Sequence, residues 1–317
     1  MKKCVIVYNK HSGKNKNRNS FIDDFIKILK ENNYEPTVKY SEYKGHVIDI
    51  VSSLPDDVKL VISIGGDGTF NESMRGNFKR KNRLLLAHIP LGTTNDVGKM
   101  FGYGKNPVSN LKLLMSGCER KMDICTINNE PFIYVAGFGK YMNIPYETGK
   151  KSKKRLGYLA YVLNALKNFI QFTKLHDITY EINGEKYSGL YSFLAITNAT
   201  RIAGMKIFDN IKLDDNQFEV IFCNIKKRKD IIKTLMRLRK SDIAHVPGVY
   251  FHASNELKIK VNDEKNLKWC LDGEKFEMSG NEIEIKIDRG TRIMIPTKNL
   301  EELFIKDKKV HKKNMSK

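Results

Sequence analysis

Cysteine is scarce: the 317-residue chain has only Cys4, Cys118, Cys125, Cys223 and Cys270, scattered, with no CxxC pair. That excludes a disulfide-stapled scaffold and points to a reducing, cytoplasmic setting. Long hydrophobic runs are also missing. No window approaches ~18 uninterrupted apolar residues, so no helix is expected to span a bilayer. The start, MKKCVIVYN, has too short an apolar run for a signal peptide and reads as a first strand. Acidic residues are few beside basic ones, 36 Asp and Glu against 56 Lys and Arg, which leaves a net charge of +20. Such a surface calls for an anionic partner: nucleic acid, an anionic membrane or phosphorylated substrates. No helix-turn-helix, RRM or zinc-finger pattern is present and the basic runs lack interleaved aromatics, which argues against nucleic acid.

What is present is organised around VISIGGDGTFNES, Val61 to Ser73. Four residues of buried-strand character run into Gly65, Gly66, Asp67, Gly68 and Thr69, and Phe70 and Asn71 follow in a segment that can start a helix. Glycines at a strand end expose backbone N–H groups to an approaching anion, and a helix N-terminus adds partial positive charge. The expected guest is a phosphate. An acid beside phosphates, Asp67, suggests a metal ion or a proton to be moved. A ligand-free glycine turn is the bland alternative. The design recurs in HIPLGTTNDVGKMFG, His88 to Gly102, with Thr93, Asn95 and Asp96 in its loop. Two such units about 25 residues apart bring both loops to one edge of a parallel sheet, where open α/β folds bind ligands.

A first strand, Lys3 to Tyr8, leads into NKHSGKNK and a helix with Phe21, Phe25, Ile28 and Leu29 on one side; its loop (Asn9, Lys10, His11, Ser12, Gly13) is a third candidate phosphate contact. A second strand, Thr37 to Tyr40, ends at Ser41, which could cap a helix. This alternation up to Gly117 predicts a parallel sheet covered by helices. Beyond it come extended runs, among them Met122 to Ile127, Tyr250 to Val261, Glu282 to Ile287 and Thr291 to Ile295, many alternating apolar with polar. A second, mostly antiparallel β domain is expected. Two basic helices are predicted within it, Leu156 to Phe172 preceded by KKSKKR, and Lys226 to Lys240. Either could sit on an anionic leaflet, or simply be a solvated face.

GGDGT together with PLGTTND resembles the diacylglycerol kinase catalytic domain family, shared by bacterial soluble lipid kinases and sphingosine kinases. The resemblance spans about Lys2 to Leu303. It implies an NAD-kinase-like α/β domain at 1–120, a β-sandwich lipid-substrate domain at 121–295, and residues 296–317 returning to the first. In the NP-x-SG position Lys10 replaces proline, while Asn9, Ser12 and Gly13 are kept. Ser41 stands where the family places a threonine that contacts nucleotide. The implied cofactors are ATP and Mg²⁺, with Asn9 to Gly13, Ser41, Gly65 to Asn71, Thr93, Asn95 and Asp96 on the nucleotide and Asp67 and Asp96 in metal and network roles.

The KLDDNQFEV segment resembles the family's LDDG turn, with Asn216 for glycine; by that resemblance Asp215 and backbone oxygens of Lys212 and Gln217 hold a structural magnesium. A plain surface turn is the alternative. In WCLDGEKF, DGE alone is a common hairpin turn; within the family it supplies the carboxylate, by position Glu274, that takes the proton of the acceptor hydroxyl. Asp67 is the alternative base. The expected reaction is phosphorylation of diacylglycerol to phosphatidic acid by a peripheral membrane protein. Sphingoid bases, an NAD kinase, a silent lipid or nucleotide sensor, and a homodimer are left open. The tail from Lys306 is expected to be disordered.

Overall fold

The computed structural model describes residues 1–9, 21–139, 174–202, 205–206, 208, 211–224 and 248–305. Both predicted basic helices, the residues Lys10, His11, Ser12 and Gly13, and the tail lie outside them. The first third alternates strand and helix. Its order is β1 (Lys2–Tyr8), α1 (Ile22–Glu31), β2 (Tyr34–Tyr40), α2 (His46–Ser52), β3 (Leu60–Gly65), α3 (Asp67–Phe78), β4 (Leu86–Pro90), α4 (Asp96–Met100) and α5 (Pro107–Met115). Strands β2, β1, β3 and β4 lie side by side in parallel. β3 and β4 are buried along their whole length, as continuous apolar runs are when helices cover both faces of a parallel sheet. β2 forms the edge, the place in a sheet where Pro36 costs no ladder bond. α1 turns Ile22, Phe25, Ile28 and Leu29 inward and its charges outward.

From Gly117 onward the described chain is nearly all strand. It comprises β5 (Cys118–Ile127), β6 (Glu130–Phe132), β7 (Val135–Gly139), β8 (His176–Ile182), β9 (Glu185–Tyr191), β10 (Phe193–Thr197), β11 (Arg201–Ile202), β12 (Met205–Lys206), β13 (Phe218–Cys223), β14 (Val249–Ser254), β15 (Glu256–Val261), β16 (Asn266–Leu271), β17 (Glu274–Ser279) and β18 (Glu282–Ile295), then a short helix α6 (Leu300–Leu303). One layer, β14-β13-β10-β7-β16-β17, is antiparallel throughout. The other continues the parallel sheet: β18 pairs with β4 through Ile293 and Leu86, and β15, β8 and β9 follow. The architecture is an α/β domain joined to an antiparallel β-sandwich, with a separate hydrophobic core in each.

Three predicted runs are drawn differently. Tyr250 to Val261 is not one strand: it breaks at Asn255 into β14 and β15, which belong to opposite layers. The buried Ser254 hydroxyl donates to the Glu256 carbonyl and accepts from its N–H, which turns the chain from one sheet to the other. Conversely, Glu282 to Ile287 and Thr291 to Ile295 form the single strand β18, bulged between Asp288 and Thr291, where Gly290 takes a φ of 88°. Arg83 grips Asp288 with two hydrogen bonds of 2.5 and 2.9 Å at that bulge. After β18, Leu303 and Phe304 pack into the core of the α/β domain.

Candidate active site

The first wall is built from backbone. β3 ends at Gly65, where a Cβ would lie 2.2 Å from the Thr69 hydroxyl, so strand end and helix start touch. α3 begins at Asp67 with Gly66 as its N-cap, inside the loop rather than after it. The second loop lies directly behind the first. Leu91 N–H donates to the Gly65 carbonyl at 2.5 Å, and a Cβ on Gly92 would sit 2.6 Å from Gly66 Cα. Asn9 joins them: its N–H bonds the Ile64 carbonyl at 3.0 Å and its amide reaches Thr69 Oγ1 at 3.3 Å. Gly68 is exposed, with open space where a side chain would be. The first turn of a helix with glycine facing open space suits a phosphate.

Other predicted contacts vary in what they offer. Thr93 is exposed on the second loop, and Asn95 holds a left-handed φ of 51° with its amide on the Gly92 carbonyl. Phe70 is buried against His88 and its N–H bonds Gly66, so it supports the loop from below. Ser41 is not a helix cap: α2 starts after Gly45, and buried Ser41 closes β2 through a bond from its N–H to the Tyr8 carbonyl.

Asp67 is tied to the second loop. Its two carboxylate oxygens accept from Asp96 N–H (3.0 Å) and Val97 N–H (3.1 Å). Burial, and then the negative charge of Asp96, push its carboxyl up to about 7 against the pull of those N–H groups. Asp272 adds a smaller push in the same direction.

The second wall is the β16–β17 hairpin. Asp272 and Gly273 form its two-residue turn with φ of 49° and 84°, the left-handed pair of a type I′ turn. Asp272 also does what sequence reasoning missed. Its buried carboxylate accepts from the N–H groups of Ile133 (2.7 Å), Tyr134 (2.9 Å) and Val135 (3.0 Å), and from the Asn71 amide at 2.5 Å. The hairpin is thereby clamped to α3 one turn beyond Asp67. Nothing in a DG dipeptide signals this, because the turn accounts for both residues. Glu274 is exposed by contrast, and its carboxylate meets the Lys44 ammonium at 2.6 Å. Beside it the Gly45 N–H donates to Glu72 Oε1 at 3.0 Å.

The KLDD turn forms a separate acidic site. Asn216 takes the left-handed φ of 62° that glycine usually supplies, and Gln217 N–H donates to Asp215 Oδ1 at 3.0 Å. Asp123 joins from β5, accepting Asn216 N–H at 2.7 Å, and Glu219 follows on β13. Glu219 is buried with Oε2 lacking a hydrogen-bond partner; burial, then Asp215, push its carboxyl up to about 8. Burial likewise raises Asp215, with Asp123 and Asp214 adding to it. Carboxylate and backbone oxygens gathered this way, with Arg289 3.5 Å from Asp123 Oδ1, fit a hard cation such as Mg²⁺. Glu219 was readable as an acid inside the otherwise apolar FEVIFC; Asp123 carried no such signal. The Lys212 ammonium is engaged elsewhere, donating to the carbonyls of Glu301 (2.6 Å) and Glu302 (2.9 Å), so only its backbone oxygen remains for a metal.

Comparison with known proteins fits this arrangement. Residues 3–127 match the Diacylglycerol kinase catalytic domain, and residues 144–288 the YegS C-terminal NAD kinase beta sandwich-like domain. Diacylglycerol kinases of Staphylococcus aureus strains bovine RF122 / ET3-1 and MRSA252 are each 29% identical over 277 residues, 86% of this chain and 86% of theirs. A crystal structure of a diacylglycerol kinase from Bacillus anthracis str. Sterne superposes with a TM-score of 0.69 at 15% identity, over 93% of this chain and 97% of that one. The fold and its two matched domains are those of a kinase with a nucleotide half and a sandwich half. The chain belongs to the diacylglycerol kinase catalytic domain family, and is a lipid kinase of it.

Proposed function

We propose that the protein is an ATP-dependent, Mg²⁺-requiring diacylglycerol kinase that makes phosphatidic acid at an anionic membrane surface. The reading is carried by the Asn71–Asp272 contact, which holds the hairpin of Glu274 against the helix that opens at Asp67. The S. aureus relatives named diacylglycerol kinase support the choice of acceptor, and the +20 charge supports a negatively charged membrane.

When bound, ATP supplies the phosphoryl group and Mg²⁺ neutralises its oxygens. The backbone N–H groups of Asp67 and Gly68, in the first turn of α3, with Asn9 and Thr93, would hold the phosphates. Lys10, His11, Ser12, Gly13 and Ser41 are assigned to the same nucleotide by resemblance. Asp67 has both oxygens engaged by N–H donors and keeps lone pairs for Mg²⁺ or its water, with Asp96 completing the network. Glu274 is the proton acceptor for the attacking hydroxyl: it is exposed toward solvent, and its partner is a single lysine on a loop that can be displaced. Lys212, Asp215 and Gln217, with Asp123 and Glu219, hold a second, structural Mg²⁺.

Incubation with γ-labelled ATP and mixed micelles of diacylglycerol, sphingosine or no lipid, and separately with NAD, tests this. Label in phosphatidic acid is the expected outcome. Label in sphingosine phosphate transfers the reading to a sphingoid base, label in NADP to an NAD kinase, and none to a non-catalytic sensor.

A further inference from the structure

The geometry points to a transition-metal site at the end of the sandwich, formed by His176 Nδ1, Asp263 Oδ2 and Glu264 Oε1 and suited to Zn²⁺ or a like divalent ion. His176 opens β8, and the two acids occupy the turn joining β15 to β16, so the three residues connect one sheet layer to the other. Among the described residues they form the one trio of His, Cys, Asp or Glu ligand atoms lying within 4.8 Å of one another. Nδ1 lies 3.3 Å from Asp263 Oδ2 and 3.6 Å from Glu264 Oε1. Bonds of about 2.1 Å at tetrahedral angles put neighbouring donors about 3.4 Å apart. The imidazole thus stands from each carboxylate at close to the spacing of two ligands on one ion.

A second observation concerns the burial of the imidazole. His176 is only 7% exposed, and its Nδ1 stands at ion-pair distance from both acids without meeting the geometry of a hydrogen bond to either. Buried polar atoms without partners are rare, and one aimed at two carboxylates is in a ligand's posture. The backbone is held in place: Asn262 N–H donates to the Asp177 carbonyl at 2.8 Å and Gly280 N–H to the Lys265 carbonyl at 3.0 Å, one on each side of the two acids. The Phe138 ring, 4.7 Å from the imidazole, walls the inner side. An imidazole with two carboxylates prefers Zn²⁺, Co²⁺ or Ni²⁺ to Mg²⁺ or Ca²⁺.

Lys174 now supplies the neutralising charge. Its ammonium bonds Glu264 and stands 3.4 Å from Asp263, and its side chain is 59% exposed. One flexible charge competes poorly with a coordinated divalent ion.

Equilibrium dialysis of the full chain against Zn²⁺, with the Co²⁺ absorption spectrum as a second readout, tests the site. The wild type should bind Zn²⁺ tightly, and His176→Gln and Glu264→Gln should each weaken that binding by more than about tenfold. Lys174→Gln, which removes the competing ammonium, should tighten it. A wild-type chain that takes up no Zn²⁺, or variants that bind it as the wild type does, overturns the proposal. Glu264 is on a surface turn, so its variant decides the matter even if His176→Gln fails to fold.

Discussion

The two walls of the proposed active site are made of different material. The nucleotide wall is backbone: Gly65 against Thr69, Gly66 against Gly92, and an Asp67 whose oxygens are taken up by N–H groups of the neighbouring loop. The acceptor wall is side chain, and it divides its two acids. Asp272 is buried under four donors, while Glu274, two residues on, is exposed with one lysine partner. The difference teaches how the work is shared. Gripping a phosphate needs fixed N–H groups, which a backbone supplies without side-chain entropy. Taking a proton needs a group that reaches a new partner and returns to water, which a packed acid cannot do.

Breaking the mobile half of that comparison should have the largest effect. Glu274→Gln keeps the size and the exposed position but cannot accept the proton, so turnover should fall by about 10²–10⁴-fold with ATP affinity unchanged. Steady-state rates beside a nucleotide titration check it; a rate within a few-fold of wild type moves the base to Asp67. Breaking the fixed half should act on stability first. Asp272→Ala leaves three buried N–H groups and the Asn71 amide without an acceptor, at a cost of about 3 kcal/mol in urea unfolding. A smaller change is expected in the nucleotide wall. Gly92→Ala drives a Cβ to 2.6 Å from Gly66 Cα and 2.7 Å from Asn95 Oδ1. That should cost about 1–3 kcal/mol and weaken ATP binding. Gly68→Ala, entering open space, should leave the fold intact and serves as the control for the stability measurement alone.

The same division explains what the sequence discloses. GGDGT and PLGTTND are local: strand, glycine loop and helix start are contiguous, so their chemistry can be read from neighbours in the chain. The alternation of the first 117 residues and the extended runs beyond Gly117 likewise report periodicity. Asp272 is different, because its partners Asn71 and Ile133 to Val135 are 201 and 137–139 residues away, and a turn already explains its identity. Asp123 reaches the KLDD turn from 93 residues upstream in the same way. The course of β14, β15 and β18 was hidden for a related reason. One serine hydroxyl sends a continuous-looking run into two sheets, and one bulge makes a strand of two runs. Local pattern gives the elements; only tertiary contact decides which sheet they enter.

The smallest prediction sharpens the comparison by setting the walls against each other in acid. His88 lies beneath the nucleotide wall, 1% exposed, with Nδ1 3.1 Å from the Ser63 hydroxyl, its ring 5.0 Å from that of Phe70 and Nε2 without a partner. Burial pushes its imidazole down to about 3, opposed only in part by Ser63. In the unfolded chain a histidine titrates near ~6.5. Between those values the unfolded chain binds a proton that the folded one refuses, so stability present above about 6.5 is lost as pH falls. The slope for one such proton is about 1.4 kcal/mol per pH unit. Asp272 and Asp67 have the opposite sign: burial raises both carboxyls, so acidification relieves charges the fold holds at a cost. Urea unfolding at pH 7, 6 and 5 should show the wild type losing stability more steeply than His88→Gln. Hydrogen exchange at pH 5 should then open β4, which carries His88, before the β16–β17 hairpin. Equal slopes would remove His88 as the cause, and a hairpin that opens first would reverse the order of rigidity assigned to the two walls.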